Sequence, residues 1–280
     1  VEKFTQLVNK IKILITGANG FIAKNLGKEL ATDHEIYGYE WDTKRLPEVN
    51  GLDWVIHLGA ISSTTERDVH KILLQNYEFS QWLFDQCNKK GVNFQYASSA
   101  SVYGKTTDFI EEGPIQPESP YAWSKYLFDR WVINQPRDIL VQGFRYFNVY
   151  GPHEENKGDQ ASVFTKFAKQ AKEKGCIEVF EGSENYKRDF ICVKDICKIH
   201  KKFLTINESN IWNLGTGNCW SFSDIANSMS KKLSVPVVEI PMPDILKGQY
   251  QEYTKANTTK LINTIGNYGF ITPDEYITSL

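Results

Sequence analysis

The chain has no surplus of positive charge: 32 Lys and Arg stand against 34 Asp and Glu in 280 residues, a formal net charge of −2. Binding a phosphate backbone requires neutralising cations, so nucleic acid is not an expected partner. No stretch approaches the roughly 18 consecutive apolar residues of a membrane-spanning helix. The opening "VEKFTQLVNKIKILITG" is interrupted by Lys3, Lys10 and Lys12, and it lacks the apolar run and small-residue cleavage site of a secretory signal. No membrane partner is expected, and the expected location is cytoplasmic. Cysteine is sparse: Cys87, Cys176, Cys192, Cys197 and Cys219 are odd in number, include no CxxC pair and sit mostly in apolar runs. They read as reduced, buried thiols. None of the five histidines forms HExxH or lies near a cysteine pair, so no metal site is expected.

With 41% hydrophobic residues the chain can bury a large core. "IKILITG" (11–17) is short, β-branched and closed by glycine, as a buried parallel strand requires. The runs "EIYGYE" (35–40), "WVIHLGA" (54–60), "NFQYASSA" (93–100) and "ILVQGFRYFNVYG" (139–151) are also strand-like. Helical patterns follow the first run and occupy 68–90 and 121–134. Such alternation predicts an α/β chain with a doubly wound parallel, Rossmann-like sheet. Beyond "YGP" (150–152) the alternation loosens, and 153–161 reads as a polar loop. We expect a dinucleotide-binding domain over 1–155, then a smaller C-terminal substrate-binding lobe over 156–280, with some strands returning to the main sheet.

The first strand runs into Gly17-x-x-Gly20-x-x-Ala23. Glycine lets a backbone approach a pyrophosphate closely, and the following helix offers unpaired N–H groups and a favourable dipole. Ala23 supplies the small third residue needed for helix–strand packing. The alternative is a plain strand–helix connection, but the position between strand and helix favours a dinucleotide. Glu40, at the end of the second strand, suits the adenosine ribose hydroxyls of NAD. Lys44 and Arg45 are close enough in sequence to meet a 2′-phosphate, which leaves the nucleotide preference open at these residues; the expected cofactor is NADP, with NAD possible.

Among fourteen tyrosines, Tyr121 alone has a lysine four residues later, Lys125. On a helix the two share a face. Chance alone would give about one such pair in a chain like this, so the spacing needs support. Ser99, ending a predicted strand, provides it, although a serine there is equally suited to capping a turn. An unperturbed phenol has a pKa of about 10; a neighbouring ammonium and a positive nicotinamide ring would both favour phenolate, making Tyr121 a base.

Together these residues resemble the extended short-chain dehydrogenase/reductase superfamily. Within it, "GAISSTTE" (59–66), "YASSASVYG" (96–104), "FRYFNVYGP" (144–152), "KGDQASV" (157–163), "FEGSENYKRDF" (180–190), "NLGTG" (213–217) and "KGQYQEYT" (247–254) are similar, in order, to segments of the ADP-glyceromanno-heptose 6-epimerase family. The resemblance spans most of 12–260. It implies a nicotinamide cofactor held by Gly17, Gly20, Phe21, Ile22, Leu58, Gly59, Ala60, Ile61, Ser62, Asn76 and Lys125. It implies catalysis by Ser99, Tyr121, Lys125 and a second acid/base, Lys157. The nucleotide sugar would meet Asn148, Val149, Phe180, Glu181, Gly182, Ser183, Arg188 and Tyr250, together with Asp159 and Lys166.

Two features depart from that family. The segment between Glu40 and Asp53 is too short for the helix and strand usual there, and Asp159 and Lys166 replace a serine and a histidine. The resemblance implies an enzyme that inverts carbon 6 of a nucleotide-linked heptose, a homo-oligomer serving lipopolysaccharide biosynthesis. The rivals are a sugar-nucleotide 4-epimerase or reductase of the same superfamily, and a non-catalytic dinucleotide-binding sensor. A sensor would have no need of Ser99, Tyr121 and Lys125. A 4,6-dehydratase would place an acid where Ala100 and Ser101 follow Ser99.

Overall fold

The computed structural model describes residues 10–42, 44–243 and 252–280, without the side chains of Asn156 and Asp159. Strand β1 (Lys12–Thr16) is buried along its apolar run and leads through Gly17 into helix α1 (Phe21–Leu30). Strand β2 (Glu35–Tyr39) follows, then β3 (Trp54–His57), buried throughout. The described residues between β2 and β3 form neither helix nor strand. The helical run after β3 is α2 (Val69–Leu73), a π-turn over Leu74–Glu78, and α3 (Phe79–Lys90). Next come β4 (Asn93–Ser99) and α4 (Pro120–Ile133).

The predicted strand 139–151 is two strands. β5 (Val141–Tyr146) stays in the main sheet, while β6 (Asn148–Tyr150) leaves it. Phe147, buried between them, donates its N–H to the Leu214 carbonyl at 3.0 Å and turns the chain. The predicted loop after β6 contains a 3₁₀ segment, Glu155–Gln160, bent at Gly158. The remaining elements are α5 (Val163–Lys174), β7 (Ile177–Phe180), β8 (Lys187–Cys192), α6 (Val193–Phe203), β9 (Asn210–Leu214), β10 (Cys219–Ser221), α7 (Phe222–Leu233), β11 (Val237–Ile240), α8 (Thr259–Ile265) and α9 (Pro273–Thr278).

Among the described residues the main sheet has the order β2-β1-β3-β4-β5-β9, parallel throughout. This is a doubly wound, Rossmann-like α/β fold. One face packs on α3 and α4 through Phe84, Phe94, Tyr96 and Phe128. The other packs on α1 and α6 through Ile13, Ile15, Leu26 and Cys197. β9 joins the main sheet from the C-terminal part of the chain. The strands β10-β8-β6 and β11-β7 form separate small sheets. These share a second core with α5 and α7, in which the Tyr150 and Phe164 rings stack 4.1 Å apart. No helix among the described residues is long and apolar enough to cross a membrane.

Candidate active site

A cavity of about 880 Å³ opens at the carboxyl ends of β1, β3, β4 and β5 and is also lined by Asn148 and Val149 of β6 and Arg188 and Phe190 of β8. This is where a doubly wound sheet places its ligands. At one end stands the glycine turn. Gly17 has φ +66°, and a Cβ there would lie 2.7 Å from the Gly59 Cα, so only glycine fits. Thr16 ties the two loops together: its hydroxyl accepts the Gly59 N–H at 3.0 Å and donates to His57 Nδ1 at 2.7 Å. Gly20 caps α1 without a side-chain partner, leaving the helix's first N–H groups for an anion. Bare backbone, close loops and an uncapped helix start fit a dinucleotide pyrophosphate.

Glu40 lines the cavity and accepts a hydrogen bond from the Asn19 N–H; Trp41 beside it also lines the wall, and the exposed Lys44 does not. Phe21, Ile22, Leu58, Gly59, Ala60 and Ser62 form wall as well. Ile61 and Asn76, expected at the cofactor, stand behind it. Asn76 is 1% exposed, accepts the Ile61 N–H at 2.8 Å, and donates to the Ile61 carbonyl and Ser124 Oγ, each at 3.0 Å. Its amide is consumed in bracing the 58–62 loop against α4, which the π-turn carrying it makes possible.

α4 starts abruptly because Ser119 accepts the Ala122 N–H at 3.1 Å and Pro120 occupies the first turn. Tyr121 and Lys125 therefore project together from the helix start onto the cavity, where Ser99 ends β4. Lys125 donates from Nζ to the Ala97 carbonyl at 2.8 Å. Burial pushes its ammonium down to about 8, against the attraction of Asp129. Burial pushes the Tyr121 phenol up from its ordinary value, and the hydrogen bond with Ser99 pulls the other way. Of these two influences burial is the larger.

Lys157 lines the same cavity. Its Nζ lies 4.8 Å from the centre of the Phe21 ring and 3.9 Å from the Glu154 carboxylate. Glu154, which the sequence did not single out, is buried; it accepts the Gly151 N–H at 3.0 Å and the Ser162 hydroxyl at 2.8 Å. Burial draws the Lys157 ammonium down, Glu154 raises it, and Lys166 lowers it.

Asn148, Val149, Lys166 and Arg188 also line the cavity. Arg188 is 6% exposed, with its guanidinium 5.6 Å from the Phe222 ring. Phe180, Glu181, Gly182 and Ser183 occupy the end of β7 and the turn beyond, off the cavity wall. Tyr250 and the Asp159 side chain lie outside what the structure describes.

Behind the site, Asp129 accepts hydrogen bonds from Ser98 Oγ and Arg145 Nε at 3.0 Å and from the Tyr96 hydroxyl at 3.1 Å. This network, also missed from sequence, ties α4 to β4 and β5.

A doubly wound sheet with a dinucleotide cradle and a Tyr/Lys pair defines a class of nucleotide-dependent α/β enzymes. The chain belongs to the NAD dependent epimerase/dehydratase family, with residues 13–215 matched. It is similar to the ADP-L-glycero-D-manno-heptose-6-epimerase of Helicobacter pylori, with 25% identity, TM-score 0.85, and 96% of this chain and 94% of that one covered. It shares its fold with a UDP-N-acetylglucosamine 4-epimerase from Methanobrevibacter ruminantium, at 19% identity, TM-score 0.84, and 96% and 97% coverage. A Thermus thermophilus UDP-glucose 4-epimerase in complex with NAD matches at 23% identity, TM-score 0.79, and 96% and 98% coverage.

Proposed function

We propose that the chain is a nucleotide-sugar epimerase that inverts carbon 6 of the heptose in ADP-glycero-manno-heptose by transient oxidation and re-reduction. The observation that carries an epimerase is that two proton-carrying side chains line one cavity with the glycine turn: Tyr121 on α4, which packs on one face of the main sheet, and Lys157 against Phe21 of α1, which packs on the other. Inversion returns hydrogen to the opposite face of a carbonyl, and proton-handling groups on two sides serve both faces. The 25% identity and TM-score of 0.85 to the Helicobacter pylori enzyme support the heptose. The second reading is a 4-epimerase, supported by the fold match to the Methanobrevibacter enzyme.

In this scheme Ser99 orients the reacting hydroxyl and Tyr121 takes its proton. Lys125 holds the cofactor ribose, and its charge favours the phenolate. A nicotinamide bound here supplies hydride exchange with the sugar carbon, with no net redox. Lys157 receives or returns the proton when the sugar presents its other face, while Asn148 and Arg188 would hold the nucleotide sugar's polar groups. Glu40 on the cavity wall, with Lys44 off it, supports NAD over the NADP expected from sequence.

We further propose a homo-oligomer, supported by Trp123 and Leu127, 48% and 37% exposed one turn apart on α4. The chain is taken to be cytoplasmic, in keeping with the free thiols of Cys87, Cys192 and Cys197, and to divide functionally near residue 155.

The test is a proton NMR time course of the purified protein with ADP-D-glycero-manno-heptose, without added cofactor and then with NAD or NADP. Appearance of the L-glycero epimer supports the full reading. An unchanged spectrum from protein that binds a nicotinamide dinucleotide overturns the heptose assignment and leaves the fold and cofactor reading.

A further inference from the structure

The main sheet ends at β2. A doubly wound dinucleotide fold places another strand outside its second one, but among the described residues nothing pairs with the outer edge of β2. A strand there would bring backbone groups against the edge of a base bound over the carboxyl end of β2. The chain instead leaves β2 through Glu40 and Trp41, both on the cavity wall. The Trp41 ring is half-buried and meets Phe79 at 4.8 Å and 82°. Phe79 is itself stacked between Tyr39, at 5.9 Å, and Trp82, at 5.8 Å. An indole already fixed by its neighbours loses little freedom when a flat ring settles on it. The ribose-binding carboxylate of Glu40 is one residue away, so a base whose ribose it holds lies within reach of the indole. Stacking tolerates any base because each has a π-face, whereas discrimination between purines comes from hydrogen bonds to the ring edge.

We propose that Trp41 holds the base of the dinucleotide by stacking, in place of the missing outer strand, and that the chain consequently accepts dinucleotides with an altered purine nearly as well as NAD. This rests on the cofactor reading above.

The experiment is a binding titration of the full chain, freed of bound nucleotide, with NAD and with nicotinamide hypoxanthine dinucleotide, by calorimetry and by tryptophan fluorescence. Wild type is expected to bind the two within about threefold, and Trp41→Ala to weaken both by about tenfold, as the loss of one stacking face implies. Trp41→Phe keeps a ring on Phe79; it should retain affinity within about threefold while losing most of the binding-induced quench. A wild-type preference for NAD of about thirtyfold or more would show edge reading and overturn the proposal, since that ratio exceeds what a shared π-face gives. Wild-type affinity in Trp41→Ala, or an undiminished quench in Trp41→Phe, would also overturn it while leaving the cofactor reading intact. Failure of wild type to bind either dinucleotide would overturn both.

Discussion

The Lys157 ammonium lies 4.8 Å from the centre of the Phe21 ring, so the 3₁₀ segment after β6 and the first residue of α1 meet across the cavity. An ammonium over an aromatic face keeps its charge attracted even where burial disfavours it. Replacing Lys157 with Met keeps the apolar stem against Phe21 and removes the proton carrier. Turnover should fall by about 10² or more with dinucleotide affinity retained, read by NMR time course and calorimetry. Near-normal epimerisation would return Lys157 to an ordinary loop lysine.

Tyr121→Phe deletes one oxygen from a buried ring. Turnover is expected to fall by about 10² or more, with the cofactor still bound and the thermal midpoint nearly unchanged. Unaltered turnover would remove Tyr121 from the chemistry.

Asp129 is 1% exposed and carries three hydrogen bonds, one of them from the buried Arg145 guanidinium. Asp129→Ala leaves that charge uncompensated and should cost about 3–5 kcal/mol, seen as a lower urea midpoint. It also removes the attraction that raises the Lys125 ammonium, so Lys125 should lose its proton at lower pH than in wild type. A loss of stability within experimental error would mean that the pair relaxes to water.

His57 and His200 are fully buried, and burial pulls both down from 6.5 to about 3. His200 donates from Nδ1 to Gln95 at 2.7 Å and accepts the Tyr146 hydroxyl at Nε2, 2.5 Å away, so the neutral ring is fully paired. The folded pKa lies below the unfolded one, and the unfolded chain takes up protons first as pH falls. The contribution of each ring to stability is complete above about 6.5 and drains away toward 3. Two histidine ring resonances should stay flat in NMR from pH 8 to 5, and titration of either near 6.5 would contradict the burial argument.

The glycine turn and the Tyr/Lys pair were legible because each depends on local spacing: a strand, a bare turn and a helix start place them whatever the distant chain does. Glu154 and Asp129 were not, because their importance comes from partners such as Ser162, Arg145 and Tyr96 that only folding brings near. Asn76 shows the opposite difficulty. The resemblance implies a hydrogen bond from Asn76 to the cofactor, whereas the structure spends its amide on Ile61 and Ser124, partners that its place in the chain does not announce. The split between β5 and β6 was hidden because "RYFNVY" is equally apolar on both sides of the turn at Phe147. The shortened link after Glu40 could be counted directly, whereas the aromatic wall of Trp41 and Phe79 that borders it required the fold.

The outer edge of β2, unpaired among the described residues, also bears on how the molecule behaves in company. A strand with unsatisfied N–H and C=O groups is a template for other chains. This one is only five residues long, begins with a carboxylate, Glu35, held by the Tyr37 hydroxyl, and contains the side-chain-free Gly38. Brevity, charge and a gap in the side-chain row all discourage fibril-like pairing. The shortened link would therefore be felt in colloidal behaviour as well as at the base: neutralising Glu35 should make concentrated solutions cloud sooner on storage without touching the active site.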